Sequence, residues 1–443
     1  MAKVIKLRKG LDINLKGKAA DTIGGPVGAD EFALVPDTFP GLKPKVVVKE
    51  GDAVMAGDAL FVDKLHPEVK FVSPVSGTVS LVERGERRKL LSVRVKADGR
   101  NSSREFDVKG DVKALLLESG LFGFFRSRPY DVTANPEDKP KAIFVSAFNS
   151  MPLSQNFEVA LKGNEQAFQA GLSALAKLAP VHLGVNVKQN SPALTVAKDC
   201  TVTFYDGAAP AGNVGVQINH TSPINKGEVV WTLGAEEVIF VGRLMLTGKV
   251  DLTRTIALAG AEVKAPQYYT ALVGTPIKAI VKGRLNASDD QRIINGNVMT
   301  GFKTSEEEFL AAHATEVNVI PEGAHADELL GWIMPRFKEF STSRSYFSWL
   351  MGKKKEYNLD ARIKGGERHM IMSGEYDRVF PMDIYAGYLV KAILAGDIDR
   401  QEALGIYEVA PEDFAIAEFV DSSKLELQRI VREGLDTLRK ENA

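Results

Sequence analysis

The chain has 443 residues, of which 44% are hydrophobic and 26% are charged. This length and this apolar content are typical of a folded protein of about three domains, and they exclude a disordered or fibrous protein. Lysine and arginine total 56 and aspartate and glutamate 57, a balance that argues against a general nucleic-acid-binding protein. The single cysteine, Cys200, excludes an internal disulfide and a four-cysteine zinc or iron–sulfur site within this chain.

The amino-terminal residues predict neither an export signal nor a membrane span. Basic residues open the chain without a following apolar region. No apolar run approaches the roughly 18 residues that a membrane-spanning helix needs. We therefore expect a cytoplasmic polypeptide without a transmembrane segment, which can still lie against a membrane through its partners.

Residues 1–105 are predicted to form a small β-barrel preceded by an amino-terminal segment. Short runs of β-type residues flank Gly-Asp turns at 51–52 and 57–58, where glycine permits the positive φ that a tight turn needs. Several short strands at this spacing favour a barrel or a sandwich. The two similar halves resemble the hammerhead barrels of biotinyl and lipoyl domains. The runs are Val46–Val48, Leu60–Val62, Val69–Val72, Thr78–Val82 and Leu90–Val95.

The barrel lacks the residue that would make it a carrier. Domains that carry biotin or lipoate have a Pro-Val-Ser-Gly turn, like the one at 74–77, and a modified lysine at the tip of the preceding hairpin. The tip here is Leu65-His66-Pro67. Because an imidazole cannot form the biotin or lipoate amide, we predict that the barrel is a structural or docking module.

The rest of the chain is predicted to contain three further domains, which makes the fold class multidomain α/β. Strands and helices alternate after Asp111, which predicts a Rossmann-like α/β domain with a parallel sheet over 106–257. A small β-grasp-like domain, similar to SLBB domains, is predicted over 258–330. Residues 331–443 are predicted to be mainly helical, with a last helix that starts at Asp421 or Ser422. The apolar stripe of that helix would consist of Leu425, Ile430, Val431, Leu435 and Leu438.

The sequence contains no self-sufficient catalytic motif. No G-x-G-x-x-G follows a strand, and the G-x-x-x-x-G-K-[ST], H-E-x-x-H and G-x-S-x-G motifs are absent. The six histidines are scattered without ligand spacing, and Cys200 follows an acid that would not lower its pKa. We therefore predict no catalytic residue and no metal ligand in this chain.

Residues 118–132, E-S-G-L-F-G-F-F-R-S-R-P-Y-D-V, combine aromatic side chains with two arginines. Such a set can hold a flat ring that bears carbonyl groups, because arginine donates to the oxygens while the aromatic rings stack. The alternative is that the phenylalanines fill the core behind a helix and the arginines pair with acids. Composition alone favours the alternative and leaves both interpretations open.

Residues 336–355, R-F-K-E-F-S-T-S-R-S-Y-F-S-W-L-M-G-K-K-K, interleave basic and aromatic residues. Such a segment suits an anionic membrane surface or the acidic face of a partner, and it could also suit RNA. The alternative is a solvated helix with an apolar stripe. We predict docking on a partner or membrane and no nucleic-acid partner. The predicted docking residues are Arg336, Lys338, Arg344, Trp349, Lys353, Lys354 and Lys355.

Six segments together resemble the A subunit of the sodium-translocating NADH:quinone reductase, over essentially the whole chain. The resemblance implies an architecture similar to the flavin- and NADH-binding subunit of respiratory complex I and to the C subunit of Rnf complexes. The segments are K-G-L-D-I at 9–13, K-F-V-S-P-V-S-G at 70–77, E-S-G-L-F-G-F-F-R-S-R-P at 118–129, T-R-T-I-A-L-A-G at 253–260, R-I-I-N-G-N-V-M-T-G at 292–301 and G-W-I-M-P at 331–335.

The resemblance also shows where this chain departs from its relatives. Those relatives hold FMN on a glycine-rich loop and iron–sulfur clusters on a C-terminal helical domain. Here bulky side chains at 119–129 deny backbone N–H groups close approach to a phosphate, and the cluster thiolates are missing. The resemblance therefore implies a redox-subunit scaffold with no covalently or tightly bound cofactor.

As a member of this family, the chain would be a peripheral subunit on the cytoplasmic side of a six-subunit membrane complex. Flavins, iron centres and NADH would belong to other subunits of the complex, which reduces quinone and exports sodium. The family has been linked to quinone binding, through segments that correspond to Leu34–Leu42 and Phe125–Val132. By chemical type, the quinone carbonyls would bond to Arg126 and Arg128. The ring would lie against Phe39, Phe125 and Tyr130, with Pro129 beside them, and the prenyl tail against Leu34, Val35 and Pro36.

Two other functions stay open on the sequence. The chain could be a cofactor-free structural cap of the complex, with quinone bound in a membrane partner, and the segment 336–355 would then be its more important surface. It could instead be a free-standing biotin or lipoate carrier, although the histidine at position 66 speaks against this.

Overall fold

The computed structural model describes residues 3–324, 330, 333–352, 354–371 and 374–442. Its first two strands are β1 (Lys3–Lys6) and β2 (Ala20–Pro26). They are edge strands of two different sheets formed by later parts of the chain. The prediction for 1–105 placed an amino-terminal segment before the barrel and did not say which sheets this segment joins. Pairing at long range decides it, since Lys3 pairs with Thr203 and Ala20 pairs with Gln267.

Residues 31–97 form two small antiparallel sheets that face each other. The strands are β3 (Glu31–Leu34), β4 (Pro44–Val46), β5 (Ala53–Val54), β6 (Ala59–Asp63), β7 (Lys70–Val72), β8 (Gly77–Arg84) and β9 (Leu90–Ala97). One sheet has the order β3-β9-β8-β5 and the other the order β4-β6-β7. Short 3₁₀ helices span Pro36–Thr38 and Glu86–Arg88. A Cβ atom on Gly77 would clash with the carbonyl oxygen of Lys96, which explains the glycine of the Pro-Val-Ser-Gly turn.

The α/β domain contains a seven-stranded sheet covered by helices. Its elements are α1 (Val112–Glu118), β10 (Arg126–Arg128), β11 (Val132–Thr133), β12 (Ile143–Ser146), α2 (Phe157–Leu161), α3 (Glu165–Leu175), β13 (Val181–Asn186), α4 (Pro192–Thr195), β14 (Thr201–Asp206), α5 (Val214–Thr221), β15 (Val230–Thr232) and α6 (Ala235–Thr247), with a 3₁₀ helix at Leu121–Phe124. The sheet order is β1-β14-β13-β12-β15-β10-β11. The first five of these strands are parallel. Strand β10 pairs antiparallel with β15, and β11 pairs antiparallel with β10.

A second mixed sheet follows, with the order β19-β18-β20-β16-β17-β2. Its elements are β16 (Thr253–Ala259), β17 (Gln267–Leu272), α7 (Ile277–Val281), β18 (Gln291–Asn295), β19 (Phe302–Thr304) and β20 (Glu316–Pro321). Strands β16 and β17 form an antiparallel pair, and β20 lies parallel to β16. Helix α7 and the inner faces of these strands enclose a separate apolar core.

The carboxyl-terminal part is helical, as predicted. Its helices are α8 (Glu375–Val379), α9 (Ala386–Leu394), α10 (Ile398–Ala403), α11 (Ala415–Val420) and α12 (Leu427–Glu441), with 3₁₀ helices at Phe347–Met351, Ile406–Glu408 and Pro411–Phe414. The last helix begins at Leu427, so the predicted start at Asp421 or Ser422 is wrong. The Asp421 carboxylate accepts the N–H groups of Ser423 and Leu425, at 3.0 and 2.8 Å, and Lys424 has a φ of 58°. These features hold a turn where the helix was expected.

Candidate functional site

The two segments that the sequence singled out for quinone, Leu34–Leu42 and Phe125–Val132, lie against each other. Thr133, directly after the second segment, donates its backbone N–H to the carbonyl oxygen of Pro40 at 2.8 Å. The rings of Phe39 and Phe124 meet edge-on, with centroids 5.8 Å apart. One apolar core continues here from the barrel into the α/β sheet. The two segments therefore form a single region at the junction of these domains.

The aromatic side chains of this junction are core residues. Phe122 and Phe125 are fully buried and stack on each other with centroids 5.3 Å apart, and Trp231 lies edge-on to both. Phe39 is buried between Phe71 and Phe124. These rings thus pack on other protein rings, as the alternative interpretation of the segment predicts. Of the remaining predicted quinone residues, four are also buried: Leu34, Pro36, Arg128 and Pro129.

Arg128 lies in a buried cluster of carboxylates and is only 1% exposed. Its guanidinium nitrogens lie 2.9 Å from Glu412 Oε1, 3.3 Å from Asp413 Oδ2 and 3.7 Å from Asp131 Oδ1. Burial alone would lower the pKa of Arg128, but attraction to the three carboxylates raises it. Nη1 and Nη2 of Arg128 therefore donate to two acids of the C-terminal helical part, Asp413 and Glu412, whereas Nε is near Asp131 without a hydrogen bond.

The pKa values of two carboxylates in this cluster, Asp413 and Asp131, shift in opposite directions. Burial raises the pKa of Asp413, although Arg128 acts against it. Asp413 also accepts the backbone N–H of Ala410 at 2.9 Å and the side-chain amide of Asn213 at 3.4 Å. Burial would also raise the pKa of Asp131, but the surrounding arginines lower it. The cluster is therefore held together by both charge and hydrogen bonds.

Three of the predicted quinone residues keep part of their surface exposed: Val35, Arg126 and Tyr130. The Arg126 side chain is 29% exposed, and its Nη1 lies 3.5 Å from Asp131 Oδ2. Arg432 on α12 donates to the backbone carbonyl oxygen of Tyr130, and Asn442 donates to the Tyr130 hydroxyl at 3.2 Å. Helix α12 thus covers one side of the segment and leaves Arg126 as its accessible cation.

Sequence reasoning missed Glu412, Asp413 and Arg432, which close over this segment from the other end of the chain. Asp413 belongs to Pro-Glu-Asp at 411–413, a pattern that indicates only a helix start. A local pattern does not show which distant cation a buried carboxylate will meet, so no signal in the sequence linked these acids to Arg128.

A second buried network, also missed, joins helix α6 to strand β16. Arg254 is 2% exposed; it donates to Glu237 Oε1 at 2.8 Å and to the carbonyl oxygen of Ala314 at 2.9 Å. Burial would raise the pKa of Glu237, but Arg254 and His313 lower it to about 2. The one available signal was the arginine within the otherwise apolar run T-R-T-I-A-L-A-G, because a charge inside a buried strand requires a partner.

Glu236, next to this ion pair, is buried and forms no salt bridge with any residue that the structure describes. Its Oε1 accepts the side-chain amide of Gln155 at 2.6 Å, and its two oxygens face the backbone N–H of Thr255 at 3.3 and 3.2 Å. Burial raises the pKa of Glu236 to about 7, although Arg254 acts in the opposite direction. Burial therefore favours the protonated form of Glu236.

The predicted docking segment at 336–355 is largely exposed and is not a continuous helix. Its regular part is the 3₁₀ helix Phe347–Met351. Arg336 lies over the Tyr346 ring and Arg344 over the Trp349 ring, at 5.2 and 5.5 Å from the ring centroids. Lys355 donates to the carbonyl oxygen of Phe337. Lys338 and Lys354 are exposed, and Lys353 lies outside the described residues.

His66 occupies the hairpin tip between β6 and β7, where a carrier domain has its lysine. Its Nδ1 lies 3.8 Å from Glu68 Oε1, and the side chain is one quarter exposed. Among the residues that the structure describes, no group of three or more His, Cys, Asp or Glu side chains could hold a metal ion. In the same part of the chain, no helix is both long and apolar enough to cross a membrane.

Comparison with known proteins assigns the chain to a family. Three family models match it in succession: the NqrA N-terminal barrel-sandwich hybrid domain at residues 5–98, the NqrA second alpha/beta domain at 108–250 and the NQRA C-terminal domain at 255–306. The A subunit of the Na⁺-translocating NADH-quinone reductase of Photorhabdus laumondii is 35% identical over 99% of this chain and all of its own length. The chain belongs to this NqrA family. The corresponding subunit of Haemophilus influenzae (strain PittGG) is 34% identical with the same coverage.

Family membership confirms the coarse organisation of the molecule. The chain has an N-terminal barrel-sandwich hybrid domain, a second α/β domain, an SLBB domain and a helical C-terminus. It is an NqrA subunit of the Na⁺-translocating NADH-quinone reductase complex. Among solved structures, an air-oxidized NAD⁺-reducing [NiFe]-hydrogenase chain aligns with a TM-score of 0.35 and 12% identity, over 68% of this chain and 60% of that chain. A similarity at this level carries no argument about fold or function.

Proposed function

We propose that this NqrA chain is a peripheral docking subunit on the cytoplasmic side of a six-subunit reductase. It takes part in quinone reduction coupled to sodium export, and flavins, iron centres and NADH belong to other subunits. The observation that carries the docking role is the exposed apolar surface of the segment 336–355. Phe347, Leu350 and Met351 are 52%, 61% and 57% exposed, and basic residues flank them along the chain. Exposed apolar side chains rimmed by charges mark interaction sites, and arginine and tryptophan are enriched where binding is strongest.

Support for a scaffold without its own cofactor comes from the junction of the barrel and the α/β domain. Phe124 and Phe125 are buried in the segment where a flavin phosphate loop would need glycines. The strand order β14-β13-β12-β15 reads 3-2-1-4 in chain order, which supports the Rossmann-like description of the second domain. The β-grasp-like description of the third domain and the predicted domain limits are part of the same proposal.

Retention in the purified complex tests the docking role. We would replace Trp349 and Leu350 by serine and measure how much of the variant chain co-purifies with the membrane subunits. The matched control replaces Tyr385 and Tyr388 by serine, because both tyrosines are exposed but lie on or beside helix α9. The loss of two contact residues should weaken binding at least about tenfold, which corresponds to about 1.4 kcal/mol. Equal retention of both variants and the parent would refute the docking surface.

A second function, direct contact with quinone, is favoured by one observation. The two segments that the family resemblance links to quinone lie against each other, with Val35, Arg126 and Tyr130 partly exposed. In a quinone site limited to these partly exposed residues, Arg126 would donate to a quinone carbonyl. Arg128, with Phe125 and Phe39, would position the segment from the core.

Fluorescence of Trp231, whose ring touches Phe125, can report on such contact. A short-tailed quinone would be titrated into the full chain with Trp332 and Trp349 replaced by phenylalanine. Saturable quenching that is lost in Arg126→Ala would support the contact. The control is Arg104→Ala, since the Arg104 side chain is 35% exposed and pairs with Glu118. If the quinone does not bind to a folded, monodisperse chain, its site belongs to a membrane partner, and docking remains as the only proposed function of this chain.

A further inference from the structure

A cleft of about 640 Å³ opens at the carboxyl ends of the parallel strands of the α/β domain. Its walls come from residues 148–158 after β12, residues 186–189 after β13 and residues 12–18 after β1. Ligands of open parallel sheets bind at these strand ends, where the strand order reverses. The order reverses at β12, which has β13 on one side and β15 on the other. The volume lies within the usual range of about 300–1,000 Å³ for ligand pockets.

The longest wall of the cleft, the loop after β12, is fixed from behind by other elements. The carbonyl oxygen of Pro152 accepts the Asn297 amide at 2.9 Å, and Asn156 donates its backbone N–H to the Tyr268 hydroxyl at 2.8 Å. Gln155 is tied to Glu236, as described above. Bonds from α6, from β17 and from the loop after β18 therefore hold this wall in place, so that little conformational entropy would be lost on binding.

Residues 354–356 form the outer wall of the cleft. They are positioned by Tyr357, which donates its backbone N–H to the Asn14 carbonyl oxygen at 2.8 Å. The Tyr357 carbonyl oxygen accepts the Lys16 N–H at 2.9 Å. The outer wall thus continues directly from the residues after β1 and carries Lys354 to the rim.

The cleft is lined by as many lysines as carboxylates, and its lysines are the groups that can bind an anion. Three exposed lysines line it, Lys18, Lys188 and Lys354, and none of them has a carboxylate partner within the described residues. Three carboxylates also line it, but two of them already accept backbone N–H groups. Asp12 accepts from Ala209 at 3.1 Å, and Glu158 accepts from the residues at 190 and 191 at 3.0 and 2.8 Å. The ammonium groups are therefore the more available charges.

Amide side chains and apolar residues complete the lining. The Oδ1 atoms of Asn149 and Asn186 accept the N–H groups of Met151 and Lys188, both at 2.9 Å, which leaves their NH₂ groups as donors. The buried apolar side chains in the lining include Ile13, Phe148, Met151, Leu153 and Phe157. Donors at the rim and an apolar floor suit a ligand with an anionic end and an organic body.

We propose that this cleft binds a small organic phosphate. Lysine presents a compact point charge that suits phosphate, whereas the planar fork of arginine suits the paired oxygens of a carboxylate. No arginine is among the described lining residues. The ammonium groups of Lys18 and Lys188 and the amides of Asn149 and Asn186 contact the phosphate oxygens, and the apolar floor contacts the organic part.

Calorimetric titration of the full chain tests this proposal. The probes are AMP, glucose 6-phosphate and inorganic phosphate, with adenosine as the uncharged control and citrate as the carboxylate control. We expect saturable binding of at least one organic phosphate, no binding of adenosine and a loss of affinity of at least tenfold in Lys18→Gln and Lys188→Gln. The matched variant is Lys177→Gln, an exposed lysine that precedes β13 at the opposite edge of the sheet, and it should bind like the parent.

Three results would overturn the proposal. The first is the absence of saturable binding for all three phosphate probes. The second is an equal loss of affinity in Lys177→Gln and Lys188→Gln, which would indicate only a general attraction of anions to the surface. The third is citrate binding as tight as the best phosphate, which would assign the cleft to carboxylates. None of these results depends on the docking role of the segment 336–355.

Discussion

Replacing Arg128 by leucine should destabilise the chain by about 3–5 kcal/mol at pH 8, because removal of one partner from a buried ion pair leaves an uncompensated charge. The cost falls mainly on Asp413, whose side chain is fully buried. Glu412 is one third exposed and can turn to water, and Asp131 keeps its contact with Arg126 at 3.5 Å. Asp413 would keep only its bonds from Ala410 and Asn213.

The loss of stability in Arg128→Leu should be smaller at lower pH. The pKa of Asp413 is already raised by burial, and Arg128 is the main group that opposes the rise. Without Arg128 the folded chain holds a proton on Asp413 that the unfolded chain releases, so this group weakens stability progressively as pH rises above its unfolded value of about 4. The variant should therefore lie closer to the parent at pH 5.5 than at pH 8.

Urea unfolding followed through Trp231 measures this effect, with Trp332 and Trp349 replaced by phenylalanine in every variant. Trp231 is suited to the measurement because it is buried on β15, which pairs with Arg128 on β10. The control Arg429→Leu removes an arginine that is 57% exposed, and it should cost less than about 1 kcal/mol.

The double variant Arg128→Leu/Asp413→Leu separates lost charge pairing from lost packing. It should recover most of the stability, because an apolar pair replaces the ionic one. Two results would refute the reasoning. One is a free energy of unfolding of Arg128→Leu within about 1 kcal/mol of the parent at pH 8, and the other is a loss of stability at pH 5.5 as large as the loss at pH 8.

Buried groups support three more predictions. Glu236→Gln should flatten the fall in stability between pH 5 and 8, because the raised pKa of Glu236, about 7, makes the parent lose stability as pH rises; urea midpoints at several pH values that vary identically in both proteins would contradict this. Phe125→Ala should cost about 3–5 kcal/mol and shift Trp231 emission to longer wavelength, and an unchanged spectrum would show that the two rings do not touch in solution. Gly77→Ala should cost about 1–3 kcal/mol through its clash with Lys96 and accelerate hydrogen exchange in β8 and β9, whereas Gly28→Ala, with open space around its Cβ, should leave that exchange unchanged.

Regular local patterns predicted most of the fold. Strands and helices alternate after Asp111, as the sequence predicts. The first helix, α1, is capped by Asp111, whose carboxylate accepts the Ala114 N–H at 2.8 Å, and β13 (Val181–Asn186) is one of the parallel strands. Each of these elements follows from its own apolar periodicity and end signals. Strands β1 and β2 could not be assigned in this way, because only partners far along the chain decide which sheet they join.

The candidate site was predictable in composition but not in contacts. The crowding of aromatic rings and arginines at 118–132 identified an unusual region, and the region is indeed the junction of two domains. The sequence could not decide between a ligand and an acid as the partner of Arg128. The groups that decide this, Glu412 and Asp413, lie in a different domain. The sequence around these two carboxylates does not show which distant residue they contact.

The pairing of β1 and β2 with distant strands has a consequence for synthesis on the ribosome. Lys3 can pair only after Thr203 has been synthesised, and Ala20 only after Gln267. Every strand of the barrel, by contrast, is complete once Ala97 has been synthesised. The barrel can therefore fold first, while β1 and β2, which both precede it in the chain, stay unpaired and the loops that they close form late. A fragment that begins after the barrel would leave β14 and β17 as open sheet edges. In the full chain β1 and β2 are themselves the edges of these two sheets, so loss of the amino-terminal segment replaces them by the edges β14 and β17, and such edges recruit strands from other molecules.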